Sequence, residues 1–280
     1  MSRDLVSVII PSYKRADTIE RAVRSALDQS YGNVEVVVVD DNSQDGTVEI
    51  VQALGDERVT VLAHAENRGG NAARRTAIEH SRGGYLAFLD ADDVWFPDKL
   101  RAQFERLAQA GPDYQMVYTW YESELPDGSI APPHHSRAEG LATPELLMSN
   151  FVGTFSTVLV SRAAHDRAGG LDPTLPSCQD WEFYLRLNRL TGIACVPRIL
   201  VRYWRGDHDP TRISSSRDRV AAGHAEIYRR LEPQLAQLSM GESVAARRYL
   251  IETVANQAAT AELIGMALGI PREQWTAGAA

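Results

Sequence analysis

The stretch Tyr85-Leu86-Ala87-Phe88-Leu89-Asp90-Ala91-Asp92-Asp93 decides how this chain can fold. Its first five residues are apolar at successive positions, as in a strand that is buried on both faces of a parallel sheet. Carboxylates at the carboxyl end of such a strand lie in the crevice where open α/β sheets bind ligands. Asp90 and Asp92 are two residues apart, so they can share one edge and hold Mg²⁺ together with substrate phosphates. The alternative is a solvated turn in which Asp93 or Asp98 caps the next helix.

The composition is that of an ordinary globular protein. The 280 residues are 44% hydrophobic and 24% charged, with a net charge of −8. This length allows one large domain or two small ones. A negative net charge without a long basic run argues against nucleic acid as a partner, and no apolar run is long enough for a transmembrane segment. Cys178 and Cys195 lack metal-binding spacing, so the sequence predicts unpaired thiols in a cytoplasmic protein, with peripheral attachment to a membrane left open.

Strand and helix patterns alternate along the first hundred residues. This order predicts an α/β fold in which a mostly parallel, Rossmann-like sheet is flanked by helices on both faces. A dinucleotide-binding dehydrogenase shares the order but needs Gly-x-Gly-x-x-Gly after its first strand, where this chain has Pro11 to Arg15. The predicted strands are 6–10, 34–39, 59–62 and 85–89, and the predicted helices are 18–29, 47–54, 71–81 and 97–109.

The remainder of the chain gives weaker patterns and a helical end. We expect strands at 116–120, 155–160, 194–196 and 200–203, helices at 144–149 and 179–190, and a long polar loop at 123–140. From residue 217 the spacing of apolar residues predicts two helices, the first interrupted at Pro233 and the second at 243–268. This C-terminal helical extension can pack on the core or pair with a second copy to form a homodimer.

Four polar segments follow the four predicted strands, at 11–13, 40–47, 67–74 and 90–92. Because the carboxyl ends of parallel strands meet at one edge of a sheet, we expect these segments to be neighbours in space. Arginines in the third segment can bind a diphosphate, and its glycines let backbone amides approach a ligand. The sequence therefore predicts a site for a metal ion and a diphosphate at this edge.

Five motifs occur in order along the chain: VSVIIPSY at 6–13, VVVVDDNSQDGT at 36–47, NRGGNAAR at 67–74, LDADD at 89–93 and QDWE at 179–182. With these motifs the chain resembles family 2 glycosyltransferases, which are inverting, nucleotide-sugar-dependent enzymes with the GT-A fold. The resemblance covers roughly residues 5–210.

The resemblance implies roles for residues that bind the donor nucleotide. Pro11 and Tyr13 correspond to the loop that lines the base, and Asp40 to the acidic residue that pairs with it. Arg74 corresponds to the arginine that faces the phosphates, and Asp90 to the carboxylate expected at the ribose.

The resemblance also implies a metal site and a catalytic base. Asp92 takes the place of the metal ligand, and His208 resembles a late histidine that can reach the metal or the diphosphate. Asp180 takes the place of the catalytic base, although its spacing also suits a helix cap. Gln179 departs from the family, which usually has Glu at this position.

The function implied is metal-dependent inverting transfer of a sugar from a nucleoside diphosphate donor to an acceptor hydroxyl, with UDP-sugar as the donor and Mg²⁺ or Mn²⁺ as the cofactor. We expect a donor-binding half at 1–110, an acceptor-binding half with the catalytic base at 111–215, and the helical extension at 216–280. A glycan, a glycolipid, a natural product or a protein remains open as the acceptor. The alternatives are a sugar-phosphate nucleotidyltransferase and a non-catalytic nucleotide-sugar binding module.

Overall fold

The computed structural model describes residues 4–141, 145–146, 149–206, 209 and 212–235. The first part of the chain alternates strands and helices, as the sequence predicts. Its elements are β1 (Val6–Ser12), α1 (Ile19–Leu27), β2 (Val34–Asp40), α2 (Thr47–Ala53), β3 (Val59–Ala63), α3 (Gly70–Glu79) and β4 (Tyr85–Phe88).

The second part is a mixed arrangement of strands and helices. Its elements are β5 (Val94–Trp95), α4 (Lys99–Ala110), β6 (Tyr114–Glu124), β7 (Ile130–His134), β8 (Leu159–Ser161), α5 (Arg162–Arg167), α6 (Gln179–Leu187), β9 (Gly192–Trp204) and α7 (Arg217–Leu235). Short 3₁₀ helices lie at Phe155–Thr157 and Ile213–Ser215.

Within the described ranges, one sheet contains nine strands in the order β3-β2-β1-β4-β8-β6-β9-β5, with β7 paired to β6. The first four strands are parallel, as predicted, whereas β8 joins β4 and β6 in antiparallel pairs. Val36 and Val38 contribute to one apolar cluster and Val37 and Val39 to another, so the two clusters lie on opposite faces of the sheet. Helices α1, α2 and α4 contribute to the first cluster, and α3, α5 and α6 to the second.

The register of the parallel strands brings their carboxyl ends to one edge. Ser12 at the end of β1 lies beside Asp40 at the end of β2, and Asp40 lies beside Ala63 at the end of β3. On the other side of β1, Ile9 lies beside Phe88, the last residue of β4. The loops that follow these four strands therefore begin next to one another.

Several elements of the second half differ from the sequence predictions. Residues 123–140, predicted as a long loop, contain the end of β6 and all of β7, because Ser123 and Glu124 pair with Ala131 and Ile130 in an antiparallel hairpin. Residues 155–160 begin as a 3₁₀ turn before β8 starts at Leu159.

The two strands predicted at 194–196 and 200–203 are one continuous strand, β9. Pro197, which cannot donate a ladder hydrogen bond, lies between the two predicted segments. The pairing of β9 with β6 instead shifts register at this point, from Thr119 beside Val196 to Trp120 beside Ile199. Such an irregularity accommodates extra residues, including the proline, without ending the strand.

The C-terminal extension is described only through α7. This helix continues past Pro233, where the sequence predicted an interruption, and ends at Leu235 in the described range. The helix predicted at 243–268 and half of the one predicted at 144–149 lie outside the described residues, and the division into three segments stays a prediction. No helix in the part of the chain described is both long and apolar enough to cross a membrane.

Candidate active site

The four loops at the carboxyl edge of the parallel strands line one cleft, which has a volume of about 870 Å³. This volume lies in the range of sites for nucleotide-sized ligands. The ends of the parallel strands and the loops that follow them contribute lining residues at 11–13, 41, 67–71 and 90–92. The second half of the chain contributes lining residues at 153–155, 173, 175–180, 203, 212–213, 219–220 and 224.

The residues predicted to hold the nucleotide base differ in their placement. Pro11 and Tyr13 line the cleft. Asp40 is buried, and its carboxylate accepts hydrogen bonds from the backbone N–H of Ser43, at 2.8 Å, and from the Ser43 hydroxyl. In this arrangement Asp40 closes the turn after β2 and is absent from the cleft lining, so its contact with the base stays a prediction.

Asp41, the next residue, shapes the diphosphate-binding loop that the sequence predicted. Its carboxylate accepts hydrogen bonds from the backbone N–H groups of Arg68, at 2.9 Å, and Gly69, at 2.6 Å, and it contacts His64 Nδ1 at 2.7 Å. Gly69 has a φ of 88°, which a residue with a side chain rarely adopts. Asp41 thus holds the start of α3 in place at the cleft.

Arg74 on α3 is positioned by three neighbours. Its Nη2 donates to Asp90 Oδ1 at 2.6 Å, its Nη1 lies 3.4 Å from Asn71 Oδ1, and its guanidinium stacks over the Phe155 ring at 4.6 Å. Its Nε is buried and has no hydrogen-bond partner among the described residues. A Cβ on Gly70 would lie 3.2 Å from Arg74 Nη1, so the glycine leaves room for this guanidinium. Arg74 and Asp90 therefore enter the cleft as an ion pair.

Asp92 lies between two arginines. Its Oδ2 is 3.0 Å from Arg212 Nη1 and 3.3 Å from Arg15 Nε, and its backbone carbonyl accepts a hydrogen bond from Arg21 Nη2 at 2.8 Å. Burial raises the pKa of Asp92, and the charges of Arg212 and Arg15 act in the opposite direction. The two guanidinium groups thus favour the ionised form of a carboxylate that burial alone disfavours.

The donor atoms at this edge suit a hard divalent cation. Asp90 and Asp92 supply carboxylate oxygens, and one oxygen of each takes no hydrogen bond from another described residue. Among the described residues, no three His, Cys, Asp or Glu side chains are grouped to hold a metal ion. The pair therefore fits a Mg²⁺ or Mn²⁺ ion that completes its coordination with water and phosphate oxygens. His208, predicted as a further metal ligand, lies outside the described residues.

Asp93 does not cap a helix, which corrects one interpretation of the acidic stretch. It is fully buried, and its carboxylate accepts hydrogen bonds from the Ser156 hydroxyl, at 2.6 Å, and the backbone N–H of Trp204, at 2.9 Å. Ser156 in turn accepts a hydrogen bond from the backbone N–H of Asp90 at 3.0 Å. Helix α4 begins after Asp98, whose side chain makes no capping hydrogen bond. Asp93 therefore ties the acidic loop to the 3₁₀ helix Phe155–Thr157 and to the end of β9.

Asp180, the predicted catalytic base, lies in the first turn of α6 and lines the same cleft. Its carboxylate accepts hydrogen bonds from the backbone N–H of Trp181, at 2.8 Å, and from Asn150 Nδ2, at 3.1 Å. Burial raises the pKa of Asp180 to about 6; these hydrogen bonds and the charge of Arg74 lower it, whereas Asp90 raises it. The N-cap of α6 is Cys178 rather than Asp180. Asp180 is therefore close enough to the Arg74–Asp90 pair to be influenced by both charges.

Gln179, where the family usually has Glu, has a structural partner. Its Nε2 donates to the backbone carbonyl of Leu175 at 2.8 Å. A glutamate could not donate this hydrogen bond, so the amide suits the turn that leads into α6.

Helix α7 forms the wall of the cleft beside this turn. Ser177 Oγ donates to the carbonyl of Arg219 at 2.9 Å, and Cys178 Sγ lies 3.3 Å from His224 Nδ1. Burial raises the pKa of Cys178 to about 12 and lowers the pKa of His224, so both side chains are neutral at pH 7. A protonated thiol is a poor nucleophile, and the pair is best understood as packing between α7 and α6.

Among the cleft residues that were not predicted from the sequence are Arg15, Tyr203 and Arg212. Arg15 lies two residues after the first motif, and its closeness in sequence to Pro11 to Tyr13 could have indicated a role. Tyr203 lies at the end of β9, and Arg212 lies nine residues further on. No sequence motif marks these two positions. They lie near the acidic loop only because of the path that β9 takes beside β6.

The family model for glycosyl transferase family 2 matches residues 7–167. Together with the GT-A sheet and the cleft described above, this match shows that the chain belongs to glycosyl transferase family 2. Its structural neighbours are GT-A glycosyltransferases, in agreement with the fold class expected from the sequence.

A sequence relative is TuaG of Bacillus subtilis, a glycosyltransferase assigned to teichuronic acid biosynthesis. It is 37% identical over 188 residues, which are 66% of this chain and 72% of TuaG. Four further relatives are matched over only 29% to 41% of their own length.

Two solved structures share the fold. TarS of S. aureus, in complex with UDP-GlcNAc, has a TM-score of 0.67 at 18% identity, covering 96% of this chain and 78% of that one. The mannosyltransferase PcManGT of Pyrobaculum calidifontis, in complex with GDP-Man and Mn²⁺, has a TM-score of 0.59 at 19% identity, covering 98% and 83%.

Proposed function

We propose that this protein is a metal-dependent, inverting glycosyltransferase that moves a sugar from a UDP-sugar to an acceptor hydroxyl. The observation that carries the proposal is the cleft itself, because it brings together an arginine–carboxylate pair suited to a diphosphate and a buried carboxylate suited to a base. Arg74, Asp90 and Asp180 all line it, and the pKa of Asp180 responds to both of the other charges.

The proposed base is Asp180. A carboxyl group with a pKa of about 6 is mostly ionised at pH 7 to 8, yet retains enough proton affinity to act as a general base. The acceptor hydroxyl would give its proton to Asp180 as its oxygen attacks the anomeric carbon. The bond from that carbon to the diphosphate oxygen breaks in the same displacement, and its electron pair leaves with the nucleoside diphosphate. A single displacement inverts the anomeric configuration.

The proposed diphosphate site is formed by Arg74, by the backbone at the start of α3 and by Asp92. Arg74 can bind phosphate oxygens with two parallel hydrogen bonds, and its packing on Phe155 limits the directions in which it can point. A Mg²⁺ or Mn²⁺ ion bound by Asp92 would act as a Lewis acid that stabilises charge on the departing diphosphate. Asp90 would orient Arg74 and contact the ribose.

UDP is the proposed nucleotide, with support from the TarS neighbour, which is seen with UDP-GlcNAc. GDP is the main competitor, because the PcManGT neighbour is seen with GDP-Man. The assignment of TuaG to teichuronic acid biosynthesis makes surface polysaccharide the first acceptor class to assay.

The test is a thermal-shift measurement with UDP, GDP and their sugars, each with and without Mn²⁺. UDP with Mn²⁺ should stabilise the protein by about 2.7 kcal/mol at a ligand concentration of one hundred times its Kd. Asp92→Asn should remove the Mn²⁺-dependent part of this shift. The control is Asp56→Asn, which removes another carboxylate paired with an arginine, 2.7 Å from Arg58, in the loop before β3. No shift with any nucleotide, or an unchanged shift in Asp92→Asn, would refute the metal-dependent site.

A further inference from the structure

Arg212 is held in the cleft by more contacts than a surface arginine normally makes. Its Nη1 donates to the backbone carbonyl of Trp204 at 2.6 Å and lies 3.0 Å from Asp92 Oδ2, and its Nη2 donates to the Tyr203 hydroxyl at 2.6 Å. Its guanidinium also lies over the Tyr203 ring at 5.1 Å, and its side chain is 10% exposed. A charge this buried is stable only while an anion compensates it.

The anion that compensates Arg212 is the carboxylate proposed to hold the metal. Arg212 and a divalent cation on Asp92 would be two like-signed charges at one buried carboxylate. At such separations the repulsion is strong in a site of low dielectric. Metal binding would therefore weaken the pairing of Arg212 with Asp92 and favour another anion as the partner of Arg212.

The other anion that enters this cleft under the proposed function is the donor's diphosphate. Arg212 lines the cleft together with Arg74 and Arg15, so it does not have to cross the protein to reach that ligand. It also begins the segment that leads through the 3₁₀ turn Ile213–Ser215 into α7. A change of partner by Arg212 would therefore be transmitted to α7, the helix that forms the wall of the cleft beside Ser177 and Cys178.

We propose that Arg212 is a counter-ion that exchanges partners: it neutralises Asp92 in the free enzyme and moves to the donor's diphosphate when the metal binds Asp92. The exchange makes the metal bind weakly to the free enzyme and strongly with the nucleotide, so the two bind together. This inference rests on the proposed function, and it concerns Arg212 rather than the reaction itself.

The test measures two affinities in Arg212→Gln. Mn²⁺ alone is titrated into nucleotide-free protein at pH 8 and followed by its EPR signal, and UDP is then titrated at saturating Mn²⁺ by calorimetry. Mn²⁺ should bind the variant about tenfold more tightly than the wild type, because a competing cation is gone, whereas UDP should bind about tenfold more weakly. If Arg212 had only a structural role, its substitution would change the Mn²⁺ and UDP affinities in the same direction or would change neither.

The matched control is Arg202→Gln, which removes an arginine of β9 that pairs with Glu122 at 2.7 Å and does not line the cleft. Both affinities should stay at the wild-type value. If Arg212→Gln does not fold, Tyr203→Phe loosens the same guanidinium while keeping its charge, and it should tighten Mn²⁺ binding by a smaller factor.

Three results would overturn the exchange: unchanged or weaker Mn²⁺ binding in the variant, no measurable Mn²⁺ binding in either protein, or unchanged UDP affinity. The proposed function would fail separately, by an absence of nucleotide binding in the wild type.

Discussion

Replacing Asp180 with Asn should stop sugar transfer and, at the same time, stabilise the folded protein at pH 8. Burial raises the pKa of Asp180 from 3.8 to about 6, so the folded state binds this proton more tightly than the unfolded chain does. The resulting contribution to stability is complete below about pH 4 and is lost as the pH rises through 6. Relative to a neutral side chain, the ionised carboxylate therefore destabilises the fold at pH 8 by up to about 3 kcal/mol, at about 1.4 kcal/mol per tenfold change in proton affinity.

The assay is thermal denaturation of both proteins at pH 5 and pH 8. At pH 8 the variant should melt higher by up to about 10 °C, given about 2–4 °C per kcal/mol for a chain of this size. Roughly half of that gain should remain at pH 5, where the carboxyl group is largely protonated in the folded protein. Transfer should fall to background at either pH, because no general base remains.

The control is Asp17→Asn, which neutralises an exposed carboxylate ahead of α1 and should leave the melting temperature nearly unchanged at both pH values. The reasoning is refuted if Asp180→Asn melts below the wild type at pH 8, or if its advantage does not grow between pH 5 and pH 8. Either result would mean that the Asp180 carboxylate is well solvated in the folded protein.

Two further predictions concern the same region. The rate of transfer by the wild type should fall about tenfold per pH unit below pH 6, as Asp180 becomes protonated. Asn150→Ala removes a hydrogen bond that favours ionised Asp180, so it should shift this fall in rate to higher pH. An unshifted rate–pH profile would contradict the assigned contact. A Cβ on Gly223 would overlap Ser177 Oγ and lie 2.8 Å from its carbonyl oxygen. Gly223→Ala should therefore push α7 away from the turn that leads into α6 and destabilise the fold by about 1–3 kcal/mol in chemical denaturation. Ala222→Ser, at the exposed position next to Gly223, is the control and should leave the free energy of unfolding nearly unchanged. Equal stability of the two variants would show that the close approach of Gly223 to Ser177 does not contribute to stability.

The donor side of the fold could be predicted because its sequence signals are local. Val36 to Val39 are apolar at every position since both faces of β2 are covered, and only a central strand of a parallel sheet needs this pattern. Alternation of such strands with amphipathic helices then specifies the topology, which in turn brings the four loops together. Helix α5 was missed although a local signal exists: the Ser161 hydroxyl accepts a hydrogen bond from the backbone N–H of Ala164, a normal N-cap.

The contacts inside the cleft could not be predicted, because they depend on tertiary pairing. The acidic stretch gives no sign that Asp93 turns away from Asp92 to accept hydrogen bonds from Ser156 and Trp204, residues 63 and 111 positions away. The pairing of Asp92 with Arg212 is equally remote, at 120 positions. Sequence spacing can place carboxylates on one edge, but the length and register of β6 and β9 decide which side chains reach them.

The extent of the family match bears on where specificity for the acceptor should lie. The family model ends at residue 167, whereas the proposed base Asp180, Tyr203, Arg212 and the wall from α7 all lie beyond it. The proposed donor side thus comes from the part of the chain that the family model matches, and most of the opposite wall comes from the part that it does not describe. Because Gly223 and Ser177 hold α7 against the turn that leads into α6, a change in the sequence of α7 would alter the wall next to the base without disturbing the diphosphate loop. Acceptor preference should therefore follow residues 173–224, and exchanging this segment with that of a relative should change the acceptor while retaining the nucleotide.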